Sequence, residues 1–64
     1  MTVSLPEQIK CVEREIAMRR RVYPRWVADK RMTQAKADHE LAAMEAVLET
    51  LKAALAIERP ELGL

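Results

Sequence analysis

Apolar residues recur along the first part of the chain at helical spacing. The stripe consists of Leu5, Ile9, Val12 and Ile16. Steps of four, three and four residues place these side chains on one face of an α-helix. Ser4 precedes the stripe and Glu7 follows three residues later, which is the spacing of a capping box. Because Pro24 disfavours α geometry at the residue before it, we expect the first helix to span about residues 5–22.

The second half of the chain carries a longer stripe of the same kind. It consists of Ala37, Leu41, Met44, Leu48, Leu51 and Leu55. The alternating steps of four and three form a heptad pattern over nearly three repeats. Thr33 is placed to cap this helix, and Pro60 ends it. We therefore expect a second helix at about 33–58, a frayed tail at 59–64, and a corner at about 23–32 that Pro24 opens with a short helical turn.

Two helices joined by a short corner lie antiparallel, so the chain is expected to be all-α, an antiparallel two-helix hairpin. A second stripe flanks the first on the later helix, and it consists of Ala43, Val47, Thr50, Ala54 and Ile57. A smaller flank on the first helix consists of Cys11, Met18 and Val22. A lone hairpin would leave both flanks in water, and a chain of 64 residues has little core to stabilise it. We expect a homodimer that forms a four-helix bundle, with Ala43, Val47, Ala54 and Ile57 at the interface.

Composition agrees with a helical protein, because helix formers such as Ala, Leu, Glu and Arg dominate and the chain has one Gly and no Phe. Cys11 is the only cysteine, which excludes an intrachain disulfide. The sequence has no apolar run of about 20 residues to span a membrane, and residues 1–10 lack the basic and apolar regions of a signal peptide. We therefore expect a cytoplasmic protein without membrane contact.

The net charge of +1 conceals a segregated distribution. Residues 14–36 hold eight basic and two acidic side chains, whereas the rest of the chain holds three basic and eight acidic ones. We define the basic corner as Arg14, Arg19, Arg20, Arg21, Arg25, Lys30 and Arg31. These cations could contact phosphates, with Tyr23 or Trp26 available for stacking. In the other interpretation, Tyr23, Pro24 and Trp26 form the core of the corner, because both rings continue the stripe of Ile16, and the arginines are left in solvent.

No pattern in the sequence supports catalysis. His39-Glu40 begins an H-E-x-x-H motif, but Ala43 stands where the second His is required. Cys11 has no partner base in the sequence pattern. Glu45 and Glu49 are spaced as on a solvated helix face. We expect no catalytic residue, no metal ligand, no cofactor and no enzymatic activity.

One segment resembles a group of small helical proteins of phages and prophages. The resemblance covers about residues 14–52 and is carried by two motifs. They are V-Y-P-x-W-V, at Val22 to Val27, and R-M-T-x-x-x-A-D, at Arg31 to Asp38. It implies a mobile-element context and no particular activity. Members of that group often have Gly where this chain has Lys30, which would suit a left-handed helix cap.

These observations predict a small, non-enzymatic interaction or assembly protein, a phage- or prophage-derived accessory protein that binds a protein partner. The alternative is weak, sequence-nonspecific binding of nucleic acid through the basic corner. The two hypotheses differ in salt dependence, because contacts with phosphate weaken steeply as salt rises.

Overall fold

The computed structural model describes residues 2–59, which form two α-helices and no strand. Helix α1 spans Leu5–Ala28 and helix α2 spans Gln34–Glu58. The two helices pack against each other as an antiparallel hairpin, which confirms the expected fold class. An ion pair between Arg20 and Glu45 joins the two helices. Ile16 and Leu48, which the antiparallel register brings level, line one groove beside that pair.

Helix α1 begins with the predicted capping box. The Glu7 backbone N–H donates to the Ser4 hydroxyl oxygen at 3.3 Å, and the Ser4 backbone N–H donates to the Glu7 carboxylate at 3.4 Å. Pro6 lies in the first turn, where its missing N–H removes no helical hydrogen bond. These local contacts satisfy donors that the first turn of a helix otherwise leaves unpaired.

The expectation that α1 ends near residue 22 is wrong, because the helix continues through Pro24 to Ala28. The short helical turn expected after Pro24 is part of α1 itself, and the connection narrows to residues 29–33. Proline removes one backbone donor, which leaves the Arg20 carbonyl without its usual partner. Arg20 and Pro24 are both exposed, so water can reach that carbonyl. The continued helix keeps Tyr23 buried, and this burial offsets part of the cost of the proline.

Helix α1 ends in a Schellman motif. The Lys30 N–H donates to the Val27 carbonyl at 3.0 Å, and the Arg31 N–H donates to the Trp26 carbonyl at 2.9 Å. Lys30 has a φ of 62°, which is the left-handed geometry that this motif needs. Only glycine adopts that geometry without a steric penalty.

Helix α2 starts at the predicted cap, because the Lys36 N–H donates to the Thr33 hydroxyl oxygen at 3.1 Å. Within residues 2–59, the buried side chains are Ile9, Ile16, Tyr23, Ala37 and Leu55. All five lie on the two predicted inner stripes or their continuation. The core of the single hairpin is therefore a thin seam. Of the expected tail at 59–64, all but Arg59 lies outside the described residues.

Within residues 2–59, neither helix is long and apolar enough to cross a membrane.

Candidate functional site

The three residues expected to form the core of the corner have different environments. Tyr23 is buried, with 6% of its surface exposed. Trp26 is half-buried and lies 5.8 Å from the Tyr23 ring, measured between centroids. Pro24 is exposed, so its assignment to the corner core is wrong. At about 100° per residue, Pro24 is turned away from the inner stripe that carries Tyr23.

Both aromatic rings of the corner make contacts within the hairpin. Tyr23 is covered by the hairpin, and the Arg31 guanidinium lies over the Trp26 ring at 5.3 Å from its centroid. A base that stacked on the side of Trp26 facing Arg31 would have to displace the guanidinium. The rings therefore contribute mainly to the packing of the corner.

Two cations of the basic corner are neutralised by carboxylates. Arg19 donates to Glu15 at 3.1 Å, and Arg20 donates to Glu45 at 2.6 Å. The hydrogen bond to Glu15 raises the pKa of the Arg19 guanidinium above its ordinary value, and partial burial opposes that rise. Lys36, just beyond the corner, pairs with Glu40 at 3.7 Å. Because a carboxylate lies beside each of these three cations, they add little to the positive potential around the corner.

Three other arginines of the basic corner share the outer face of α1, and we call Arg14, Arg21 and Arg25 the outer arginine stripe. All three are exposed, and none forms an ion pair with another of the described residues. At about 100° per residue they lie within roughly 40° of one another and nearly opposite the buried Ile16. The structure thus divides the basic corner into paired cations beside α2 and unpaired cations on the outer side.

Sequence reasoning missed one cation of this face. Lys10 is exposed and lies one turn before Arg14, within about 60° of all three arginines. Lys10 lies outside residues 14–36, where the charge excess is found. The spacing of four residues from Lys10 to Arg14, repeated from Arg21 to Arg25, is the signal that would have identified it.

The tip of the hairpin carries the remaining cations. Lys30 and Arg31 are both exposed. Together with Lys36 they line an open concavity of about 610 Å³ between the end of α1 and the start of α2. The tip therefore extends the unpaired positive charge of α1 beyond its last turn.

The flank expected at a dimer interface is in solvent in the single chain. We call Ala43, Val47, Thr50, Ala54 and Ile57 the α2 apolar face. Val47 is 46% exposed and Ile57 is 83% exposed, whereas Ala54 is half-buried. The Thr50 hydroxyl donates to the Ala46 carbonyl at 3.1 Å, so this face could be covered without leaving that hydroxyl proton unpaired.

The smaller flank of α1 opens on the same side of the hairpin. Met18 and Val22 are half-buried, and they line a shallow groove of about 230 Å³ whose opposite wall includes Glu40 of α2. Cys11, on the same flank, is exposed with a free thiol. Projected at about 100° per residue, both flanks fall on the Glu40 side of the antiparallel pair. The exposed apolar side chains of the two helices thus form one broad surface.

Within residues 2–59, no group of three or more His, Cys, Asp or Glu side chains is arranged to hold a metal ion. His39 is exposed on α2.

No protein-family model, no curated protein and no solved structure matches this chain.

Proposed function

We propose that this protein acts by binding another protein chain rather than by catalysis, and that its α2 apolar face is the binding surface. The observation that carries the proposal is the exposure of Val47 and Ile57 on a regular helical stripe. The five positions of this face, Ala43, Val47, Thr50, Ala54 and Ile57, carry no charged side chain. Covering such a face with another helix is favourable, at about 25 cal/mol per Å² of apolar area buried.

The first occupant we propose is a second copy of the chain, which would complete a four-helix bundle. The stripe is complementary to itself when two α2 helices run antiparallel about Thr50. Ile57 then lies opposite Ala43 of the second copy, and Val47 lies opposite its Ala54. A large side chain meets a small one at both of these levels, and each contact occurs twice, as an isologous two-fold interface requires.

Light scattering of the purified protein tests this assembly. A dimer should show twice the chain mass of 7.3 kDa at concentrations of tens of micromolar. Val47→Glu should shift the mass to that of one chain, because the carboxylate would lose hydration in the interface. Ala35→Glu is the matched control, since it adds the same charge to exposed α2 surface outside the stripe. A wild-type protein that stays monomeric in this concentration range would refute the proposed dimer.

A size swap tests the antiparallel register. Ile57→Ala should weaken the dimer, and Ala43→Ile should crowd it. The double variant should recover dimerisation, because each pair again joins Ile to Ala. In a parallel arrangement each residue faces its own copy, and the double variant would not recover.

A phage or prophage accessory role is part of the same proposal and rests on the resemblance of residues 14–52. Under this proposal the dimer is the form that binds a further protein partner. A pull-down tests this role. The wild type should capture one defined host or phage protein, and a variant that still dimerises but is altered on the outer surface of the dimer should not.

A further inference from the structure

The outer face of α1 carries a surface whose chemistry differs from that of the α2 apolar face. Arg14 and Arg25, with Arg21 between them, are eleven residue steps apart, or about 17 Å along the helix axis at 1.5 Å per residue. Lys10 extends this row toward the start of the helix, and Lys30 and Arg31 extend its charge at the other end. All six are exposed.

We propose that the outer arginine stripe binds the phosphate backbone of double-stranded nucleic acid, without reading its sequence. Charge complementarity identifies the partner, because these guanidinium groups have no carboxylate partner among residues 2–59. A guanidinium presents a planar fork of donors that matches the oxygens of a phosphate. Contacts of this kind supply most of the affinity of nonspecific nucleic-acid binding.

Two features of the same surface favour a duplex over other polyanions. Single-stranded nucleic acid is held partly by stacking on exposed aromatic rings, but Tyr23 is buried and Trp26 is half-buried with the Arg31 guanidinium over its ring. A protein partner usually binds around a few well-packed, desolvated anchor side chains at the centre of the contact. Beside the arginines, Ala17 and Ala28 are small, and the larger Met18 is half-buried and lines the groove beside α2. A regular phosphate backbone requires neither rings nor an anchor.

The paired cations provide a matched control for the experiment. Arg14→Gln, Arg21→Gln and Arg25→Gln together remove three unpaired charges. Arg19→Gln, Arg20→Gln and Lys36→Gln together remove three charges that already face carboxylates. Both triple variants change the net charge equally, so a difference between them reports where the charge lies rather than how much there is.

Binding of a labelled 20-base-pair duplex should be followed by fluorescence anisotropy from 20 to 200 mM salt. We expect the outer triple variant to bind more than tenfold more weakly at low salt. Its plot of log affinity against log salt should be less steep by up to about 3, near 0.9 for each lost phosphate contact. The control triple variant should keep most of the wild-type slope. Circular dichroism of both variants checks that the helices are retained.

Several outcomes would overturn the inference. One is that the wild-type protein does not bind the duplex at 20 mM salt. A second is that the two triple variants lose equal amounts of affinity. A third is that polyglutamate competes for the protein as effectively as unlabelled duplex does. Tighter binding of a single strand with quenching of Trp26 fluorescence would also contradict it, because stacking would then dominate. The inference does not depend on the proposed assembly, since Val47→Glu leaves the stripe unchanged and should retain the salt-dependent binding of the single chain.

Discussion

Arg31 contacts Trp26 twice at the end of α1. Its backbone N–H donates to the Trp26 carbonyl at 2.9 Å, and its guanidinium lies 5.3 Å from the centroid of the Trp26 ring. In a Schellman motif these two positions usually share an apolar contact. Here a cation–π contact takes that place, so both the backbone and the side chain of Arg31 bind to Trp26 at the end of the helix.

Arg31→Ala should lower the free energy of unfolding by about 0.5–1 kcal/mol, the range of a cation–π contact at an exposed site. Trp26 fluorescence should shift to longer wavelength, because water replaces the guanidinium. Arg21→Ala is the control, since Arg21 is exposed and touches no ring, and it should leave both measurements nearly unchanged. An unaltered Trp26 emission in Arg31→Ala would show that the contact is not maintained in solution.

Lys30→Gly should stabilise the protein by about 0.5–1 kcal/mol. The left-handed geometry at Lys30 costs a residue with a side chain about 1–2 kcal/mol. Glycine removes this cost, but its greater freedom in the unfolded chain offsets part of the stabilisation. Melting temperature should rise by several degrees at a fixed protein concentration. Asp29→Gly, at a φ of −82°, should instead lower it. A lower melting temperature for Lys30→Gly would contradict the assigned geometry.

Pro24→Ala should also stabilise the protein, by about 2 kcal/mol. The substitution restores an N–H that can donate to the Arg20 carbonyl within an otherwise continuous helix. Loss of the rigid ring in the unfolded state opposes this by about 0.4–1 kcal/mol. Urea unfolding followed by helical circular dichroism measures the difference. If the variant is less stable than the wild type, the proline is required for the corner and α1 is not continuous in solution.

Tyr23→Ala should destabilise the protein by about 3 kcal/mol or more, because it removes a buried ring from a thin core. Trp26→Ala should cost less, since Trp26 is only half-buried. Urea unfolding should therefore give a lower free energy of unfolding for Tyr23→Ala than for Trp26→Ala. The reverse order would place Trp26, rather than Tyr23, at the centre of the corner core.

The ion pair between Arg20 and Glu45 should contribute less than about 1 kcal/mol despite its length of 2.6 Å. Both side chains are substantially exposed, at 61% and 49%, so water and salt screen the attraction. A double-mutant cycle with Arg20→Ala and Glu45→Ala measures the coupling directly. A coupling above about 2 kcal/mol, or one insensitive to salt, would show that the pair is far less hydrated than this geometry implies.

The caps of the helices were predictable because they depend on near neighbours. Ser4 with Glu7, and Thr33 with Lys36, lie three residues apart, so the sequence pattern contains the whole interaction. The end of α1 was not predictable in this way. The rule applied to Pro24 describes a local preference, whereas the continuation of the helix depends on how Tyr23 and the residues after it pack against α2.

The candidate surfaces show the same division. The basic corner was visible as a charge excess, and the pair of Arg19 with Glu15 is local, but the pairing of Arg20 depends on Glu45, which lies 25 residues away. The α2 apolar face was identifiable from heptad spacing. Lys10 was missed because it lies outside the charge-rich segment and joins the outer face only through the helical repeat.

The sequence by itself determined that this protein is a helical hairpin, where both helices begin, and which stripe of each helix faces inward. Spacing and capping are short-range properties, and a few neighbouring residues suffice to set them. Only the tertiary structure decided that α1 continues through Pro24, that Tyr23 and Trp26 differ in burial, and that Arg14, Arg21 and Arg25 remain unpaired. Each of these depends on what the opposite helix covers or neutralises, and that is determined by packing between residues distant in the chain.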